Sequence, residues 1–387
     1  MNPIRPSIYL VLLLFSLILV PLAQANNLMP SPPQLAARSY LIMDAHSGQV
    51  LVAQNEHERY PPASLVKIMT SYIAEQEIIR GNLAENDLVT ISEKAWRTGG
   101  SRMFVQEGTQ VSVIDLLRGI IIQSGNDASV AIAEHIAGSE EAFADLMNQH
   151  ARRIGMTNTH FENATGLPSD NQYASAYDLA LLARALINDS PDYYPIYAEK
   201  YFEYNKIRQP NRNRLLWRDD TVDGIKTGHT NAAGYCLVAS AVRDDMRLIS
   251  VVMGSASEET RAQETQQLLA YAYRFFRTHQ LYQAGETLSQ SRVWGGASDQ
   301  VRLGVAELMA VTLPRGQEDN IEVTLDLPAR IKAPLEQGQV LGRVVVNLNG
   351  EELESRDLVA LEAVEPAGLL KRIWHSILQF FMGLLGK

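Results

Sequence analysis

The pattern of apolar and polar positions changes character several times along the chain. Over 39–52, the apolar runs Tyr40-Leu41-Ile42-Met43 and Val50-Leu51-Val52 flank a turn at His46-Ser47-Gly48, which predicts a β-hairpin. Helical periodicity then takes over, with apolar residues recurring at three- and four-residue intervals across 64–79, 113–122, 128–137, 140–154 and 175–187. Two strands are predicted at 235–242 and 247–253, joined by a charged turn at Asp244-Asp245, and an amphipathic helix at 258–277 closes the region. Strands at both ends, with helices between and after, predict an α+β domain: an antiparallel sheet flanked by helices and carrying a mostly helical insertion.

Beyond about residue 278 the runs become short and rich in β-branched and aliphatic residues, at 307–314, 321–327, 340–348 and 358–364. In Ile321-Glu322-Val323-Thr324-Leu325-Asp326-Leu327 the alternation is strict. Turn signals at Pro314-Arg315-Gly316 and Asn349-Gly350 separate the runs, so 279–365 is expected to be a small all-β domain. It clusters no nucleophiles, bases or metal ligands.

The tail, 366–387, is different again. Leu369, Leu370, Ile373, Trp374, Ile377, Leu378, Phe381, Leu384 and Leu385 form a wide apolar helical face, while Lys371, Arg372, His375, Ser376 and Gln379 occupy the other side. The segment has no acidic residue, which predicts a helix lying in a membrane interface with its basic face towards anionic headgroups. A terminal helix docked on the β domain is the alternative. At the other end, Arg5, the aliphatic run 8–20 and Ala23-Gln24-Ala25 read as a signal peptide, 1–25, leaving 26–278 as the first domain. The run is short for an uncleaved membrane span.

With 46% hydrophobic residues, 387 positions can fill two cores. A net charge of −10 argues against nucleic acid as the principal partner. Export would permit disulfides, but Cys236 is the only cysteine, and Gly234-Tyr235-Cys236-Leu237-Val238-Ala239 reads as a buried strand in which it is a small apolar filler. The eight histidines are scattered, no H-E-x-x-H occurs, and there is no Gly-rich phosphate loop, so neither a metal nor a cofactor is expected.

Three short motifs carry chemistry. Ser64-Leu65-Val66-Lys67, after Pro61-Pro62-Ala63, opens an apolar helix, and a spacing of three puts Ser64 and Lys67 on one face. A serine hydroxyl is a weak nucleophile until a base takes its proton. A lysine amine can be that base when burial or nearby positive charge lowers its pKa. Lys226-Thr227-Gly228 precedes the strand expected from about Gly234; its glycine lets a substrate backbone approach closely, and its lysine and threonine can bind a carboxylate. The middle motif has two candidates. Ser169-Asp170-Asn171 lies in a polar loop, whereas Ser124-Gly125-Asn126 joins two apolar helices that can hold a serine and an amide rigidly, and is preferred.

S-x-x-K, S-D-N and K-T-G together are the recognised signature of β-lactamases and penicillin-binding proteins. The chain resembles the D-alanyl-D-alanine carboxypeptidases among the low-molecular-mass penicillin-binding proteins, of the 5 and 6 type. Ser124-Gly125-Asn126-Asp127-Ala128, Thr165-Gly166-Leu167, Asn211-Arg212-Asn213 with Leu215-Leu216-Trp217, and Lys226-Thr227-Gly228-His229-Thr230 all share in the resemblance, as do the β domain and tail.

The resemblance implies a β-lactamase/transpeptidase-like fold followed by the all-β domain and amphipathic helix. It implies that Ser64 attacks the penultimate D-Ala carbonyl with Lys67 as base, that Ser124 relays a proton to the leaving amine, and that Asn126 orients the substrate amide. Lys226, Thr227 and Arg212 would surround the terminal carboxylate beside Gly228, and the N–H groups of Ser64 and His229 would form the oxyanion hole. The implied partners are peptidoglycan stem peptides, β-lactam antibiotics and the periplasmic face of the bacterial inner membrane, with a homodimer left open. A DD-endopeptidase, a β-lactamase and a non-catalytic peptidoglycan-binding scaffold are the competing functions. No Glu-x-x-Leu-Asn follows the middle motif, and the intact Ser64, Lys67, Ser124 and Lys226 speak against a scaffold.

Overall fold

A computed structural model describes residues 29–384, with side chains to residue 378. The expected leader, 1–25, and the expected apolar side chains of Phe381, Leu384 and Leu385 lie outside the described residues. The first domain is α+β, built on a five-stranded antiparallel sheet. Its strands are β1 (Ser39–Asp44), β2 (Val50–Gln54), β3 (Val222–Thr230), β4 (Gly234–Arg243) and β5 (Met246–Ser255), in the order β2-β1-β5-β4-β3. Alternation along β1 sends Leu41 and Met43 into one core and Tyr40 and Ile42 into another.

The first core is covered by the helical insertion: α1 (Val66–Ile79), α2 (Val113–Ile121), α3 (Asn126–Ala137), α4 (Glu140–Ile154) and α5 (Ala176–Asp189). The second is covered by α6 (Glu258–Phe275). Serines set several helix starts: Ser139, Ser175 and Ser257 accept from the N–H groups of Ala142, Asp178 and Thr260 at 3.0–3.1 Å. Gly138 and Gly155 end α3 and α4 in the left-handed conformation. In α1 every residue from Val66 to Glu75 is buried, so this helix runs through the insertion and carries Lys67 into a dry interior.

Two expectations are corrected. Lys226-Thr227-Gly228 does precede the expected strand, β4, but it also lies within a strand the sequence did not predict, β3, where Lys226 pairs with Val238 and Gly228 with Cys236. The strand is hard to read from sequence because Asp223, Gly224 and Lys226 interrupt its apolar pattern. The helix expected to Arg277 ends at Phe275, and β6 (Phe276–Tyr282) begins at once.

After β6 the β domain continues with β7 (Thr287–Trp294), β8 (Gln300–Gly304), β9 (Met309–Pro314), β10 (Ile321–Asp326), β11 (Ile331–Lys332), β12 (Val340–Leu348) and β13 (Glu351–Ala360). β6 pairs with β9, and the others form a sheet in the order β10-β12-β13-β8-β7-β11 over an aliphatic core. Buried hydrogen bonds tie this β domain to the β1–β2 turn: Thr278 Oγ1 donates to Asp44 Oδ2, and Ser47 and Thr312 share a hydroxyl contact of 2.7 Å.

The C-terminal helix α7 (Leu369–Leu384) corrects the expected orientation of its basic face. Lys371 and His375 on its polar side turn onto the β domain, while Arg372 and Ser376 stay exposed. Lys371 Nζ bonds Asp299 Oδ1 at 2.8 Å and Ala297 O at 2.9 Å, and His375 Nδ1 accepts from the Gly295 N–H at 2.9 Å. Leu370 is 85% exposed and Trp374 59%, with Leu369, Ile373 and Ile377 also facing outward. Among the described residues no helix is long and apolar enough to cross a membrane.

Candidate active site

The three motifs converge on one cleft of about 360 Å³, lined by Ser64, Ser124, Arg212, Thr227, Gly228 and His229 among others. Ser64 sits in a 3₁₀ turn, Ala63–Leu65, that runs directly into α1. The turn is tight: Ala63 has φ +49°, a conformation L side chains rarely adopt. Gly166 closes against it so nearly that a Cβ there would lie 1.9 Å from Ala63 O. On the other side, a Cβ on Gly228 would approach Pro62 O to 3.1 Å. These two glycines let the loop after Ala164 and strand β3 close in on the serine.

One turn into the cluster, Lys67 Nζ lies 3.4 Å from Ser64 Oγ and 2.6 Å from Asn126 Oδ1, and also donates to Thr165 O. Burial lowers its pKa to about 7; the Arg212 charge adds to the shift, against the opposing pull of Asp127 and Glu140. A lysine so placed gives up its proton near neutral pH, which is what a base beside Ser64 would require. Asn126 is held by its own Nδ2, which donates to Gly99 O at 2.7 Å.

Ser124, at φ +64°, is buried, and its Oγ has no hydrogen-bond partner among the described residues. An unsatisfied hydroxyl beside an open cleft is a feature normally explained by function. Behind it, Asp127 accepts from the N–H groups of Met103, Phe104, Val105 and Ala128 at 2.8–3.2 Å, clamping the loop that faces the motif. Ser169 and Asn171 both bond Glu162 in an exposed loop and do not line the cleft.

The far wall is cationic. Lys226 is buried in β3, donates to Thr227 O at 3.2 Å, and is held well below the usual lysine range by burial and by Lys67, Arg212 and Arg261. Arg212 reaches the cleft because its neighbours are anchored: Asn211 donates to Glu199 O at 3.1 Å and Asn213 to Gly224 O at 2.8 Å. His229 is exposed and stacks on Tyr235 with ring centroids 4.0 Å apart. Sequence reasoning missed Arg261. It is buried, lines the cleft from α6, and makes one long hydrogen bond, 3.4 Å to Gly228 O. An arginine on an amphipathic helix carries no signal that would single it out.

The fold and the Ser–Lys arrangement define a serine hydrolase of the penicillin-binding class. Residues 26–257 match the family described as D-alanyl-D-alanine carboxypeptidase, and residues 276–366 match the penicillin-binding protein 5 C-terminal domain. The chain belongs to the D-alanyl-D-alanine carboxypeptidase family. It is 45% identical over 375 residues to the D-alanyl-D-alanine carboxypeptidase DacC of Escherichia coli, covering 95% of this chain and 94% of that protein. The crystal structure of penicillin binding protein 5 from Haemophilus influenzae superposes with a TM-score of 0.81 at 44% identity, covering 87% of this chain and 99% of that one. Penicillin-Binding Protein D2 from Listeria monocytogenes, solved in an ampicillin-bound form, gives a TM-score of 0.58 at 27% identity, covering 63% of this chain and 100% of that one.

Proposed function

We propose that the enzyme removes the terminal D-alanine from peptidoglycan pentapeptide stems through an acyl-enzyme on Ser64, and that β-lactams acylate the same serine. The observation that carries this reading is the buried Lys67 amine, with its lowered pKa, beside Ser64 Oγ. As Lys67 takes the hydroxyl proton, Oγ attacks the penultimate D-Ala carbonyl, while Asn126 and Thr165 O retain the amine's other contacts. The N–H groups of Ser64 and His229 stabilise the oxyanion. The proton taken by Lys67 passes through Ser124 to the leaving nitrogen, the C–N bond breaks, and D-alanine departs. Water then hydrolyses the ester and frees the tetrapeptide stem. Lys226, Thr227, Arg212 and Arg261 form the positive wall for the substrate's terminal carboxylate.

The test is labelling by a fluorescent penicillin, followed by D-alanine release from a pentapeptide and cleavage of a cross-linked dimer. The unmutated enzyme should label and release D-alanine, with much slower cross-link cleavage, and Ser64→Ala should not label. An unlabelled parent enzyme would refute the reading.

The same proposal places the enzyme at the periplasmic face of the inner membrane, exported by its leader and held by α7. The outward apolar face of α7 supports anchorage in the interface without crossing. Deleting 369–387 should release the enzyme from membranes. If a second copy covers that face instead, the intact enzyme will be a dimer in solution and will not sediment with vesicles.

A further inference from the structure

We propose that the cleft between the β domain and the start of α7 binds the phosphate of an anionic glycerophospholipid; this rests on the membrane reading above. The cleft measures about 250 Å³, and its lining includes Trp294, Lys332, Pro334, Arg372, His375 and Ser376. Its two full cations come from separate elements, Lys332 from β11 and Arg372 from α7. Among the described residues neither forms an ion pair, whereas Lys371, next to Arg372, is paired with Asp299 at 2.8 Å. No acidic residue lines the cleft, so its charge is unbalanced.

The walls are rigid. His375, 7% exposed, is fixed by the Gly295 N–H and sits edge-on to Trp294 with centroids 5.6 Å apart. A third cation, Arg292, stacks over the Trp294 ring at 4.1 Å.

The position is right for a headgroup. Arg372 and Ser376 are one turn apart and border Leu369 and Ile373, the edge of the exposed apolar face. With that face sunk among acyl chains, the cleft stands at headgroup depth. It then presents two cations to one phosphate, while the Ser376 hydroxyl donates to Arg372 O at 2.9 Å. Lipid anchorage thereby engages the β domain as well as the helix, through Lys332.

The experiment measures co-sedimentation of the enzyme carrying its complete helix with vesicles of phosphatidylcholine, alone or mixed with phosphatidylglycerol. Lys332→Gln and Arg372→Gln should each weaken binding to the anionic vesicles about fivefold. They should leave binding to phosphatidylcholine and pentapeptide hydrolysis unchanged. Lys200→Gln with Arg343→Gln, exposed charges elsewhere, should have little effect, and millimolar inorganic phosphate should not compete. The proposal is overturned if the cleft variants bind like the parent, if the control pair weakens binding equally, or if free phosphate displaces the enzyme. Failure of the anchor itself is a separate result: the parent would then bind neither vesicle, and both readings would fall.

Discussion

Lys67 Nζ donates to Asn126 Oδ1 at 2.6 Å, joining α1 to the start of α3 across 59 positions of sequence. The contact fixes the amine beside Ser64 in a buried site, where ionisation is costly and depends on neighbouring charge. Helix packing thus lowers the pKa of this amine.

The first prediction concerns pH. In the proposed mechanism Lys67 acts unprotonated, so the penicillin acylation rate should rise with pH through about 7. Arg212→Gln removes a positive charge that lowers the Lys67 pKa, and should move this limb to higher pH. Stopped-flow acylation across pH measures both effects, and an unmoved limb would contradict the coupling. Lys67→Arg should slow acylation about 10²–10⁴-fold, the range for loss of a positioned base.

The Ser64 turn makes a second prediction. Gly166→Ala would place a Cβ 1.9 Å from Ala63 O at φ +79°, so it should destabilise the domain by roughly 2–4 kcal/mol. Acylation should slow as the turn shifts. Thermal melting and labelling kinetics report the two effects separately, whereas Gly138→Ala, with open space around it, should strain only its helix cap.

Arg261 should matter to substrate more than to chemistry. Arg261→Gln removes a donor to the carboxylate, worth about 1.5–3 kcal/mol for a charge-assisted bond, and should raise KM about 10–100-fold. Pentapeptide with a C-terminal amide, which lacks the carboxylate, should lose far less. Equal losses on both substrates would assign Arg261 a purely structural role.

A fourth prediction lies beneath the site. Glu75 is buried on α1 with its pKa pushed up to about 8, and it accepts from the Tyr197 hydroxyl at 2.8 Å. Its raised pKa means the folded state retains a proton that the unfolded chain releases. The associated stability is full below the ordinary glutamate pKa and is lost as pH rises through about 8. Glu75→Gln should flatten that decline between pH 5 and 9, on the order of a few kcal/mol, as read by denaturant titration.

Much of the site was legible because its signals are local. The i, i+3 spacing of Ser64 and Lys67 and the two helices around Ser124-Gly125-Asn126 are short-range facts, and the structure brings those residues together. Lys226-Thr227-Gly228 was recognised, but its strand was not, because β3 is interrupted by polar and glycine positions. Arg261 was missed altogether: what distinguishes it is burial against Gly228, a contact between distant elements.

The tail separates the two levels most clearly. The sequence by itself determined that 366–387 is amphipathic and without acid, since periodicity and charge are properties of the chain alone. Only the tertiary structure decided which face is free. Asp299 and the Gly295 N–H sit where they satisfy Lys371 and His375, so that edge of the polar side is taken by the β domain and the apolar side is left outward. The same division holds in the catalytic cleft. Spacing along the chain puts a serine and a lysine one helical turn apart, but it took the burial of α1, with Arg212 brought close, to lower that lysine's pKa to about 7.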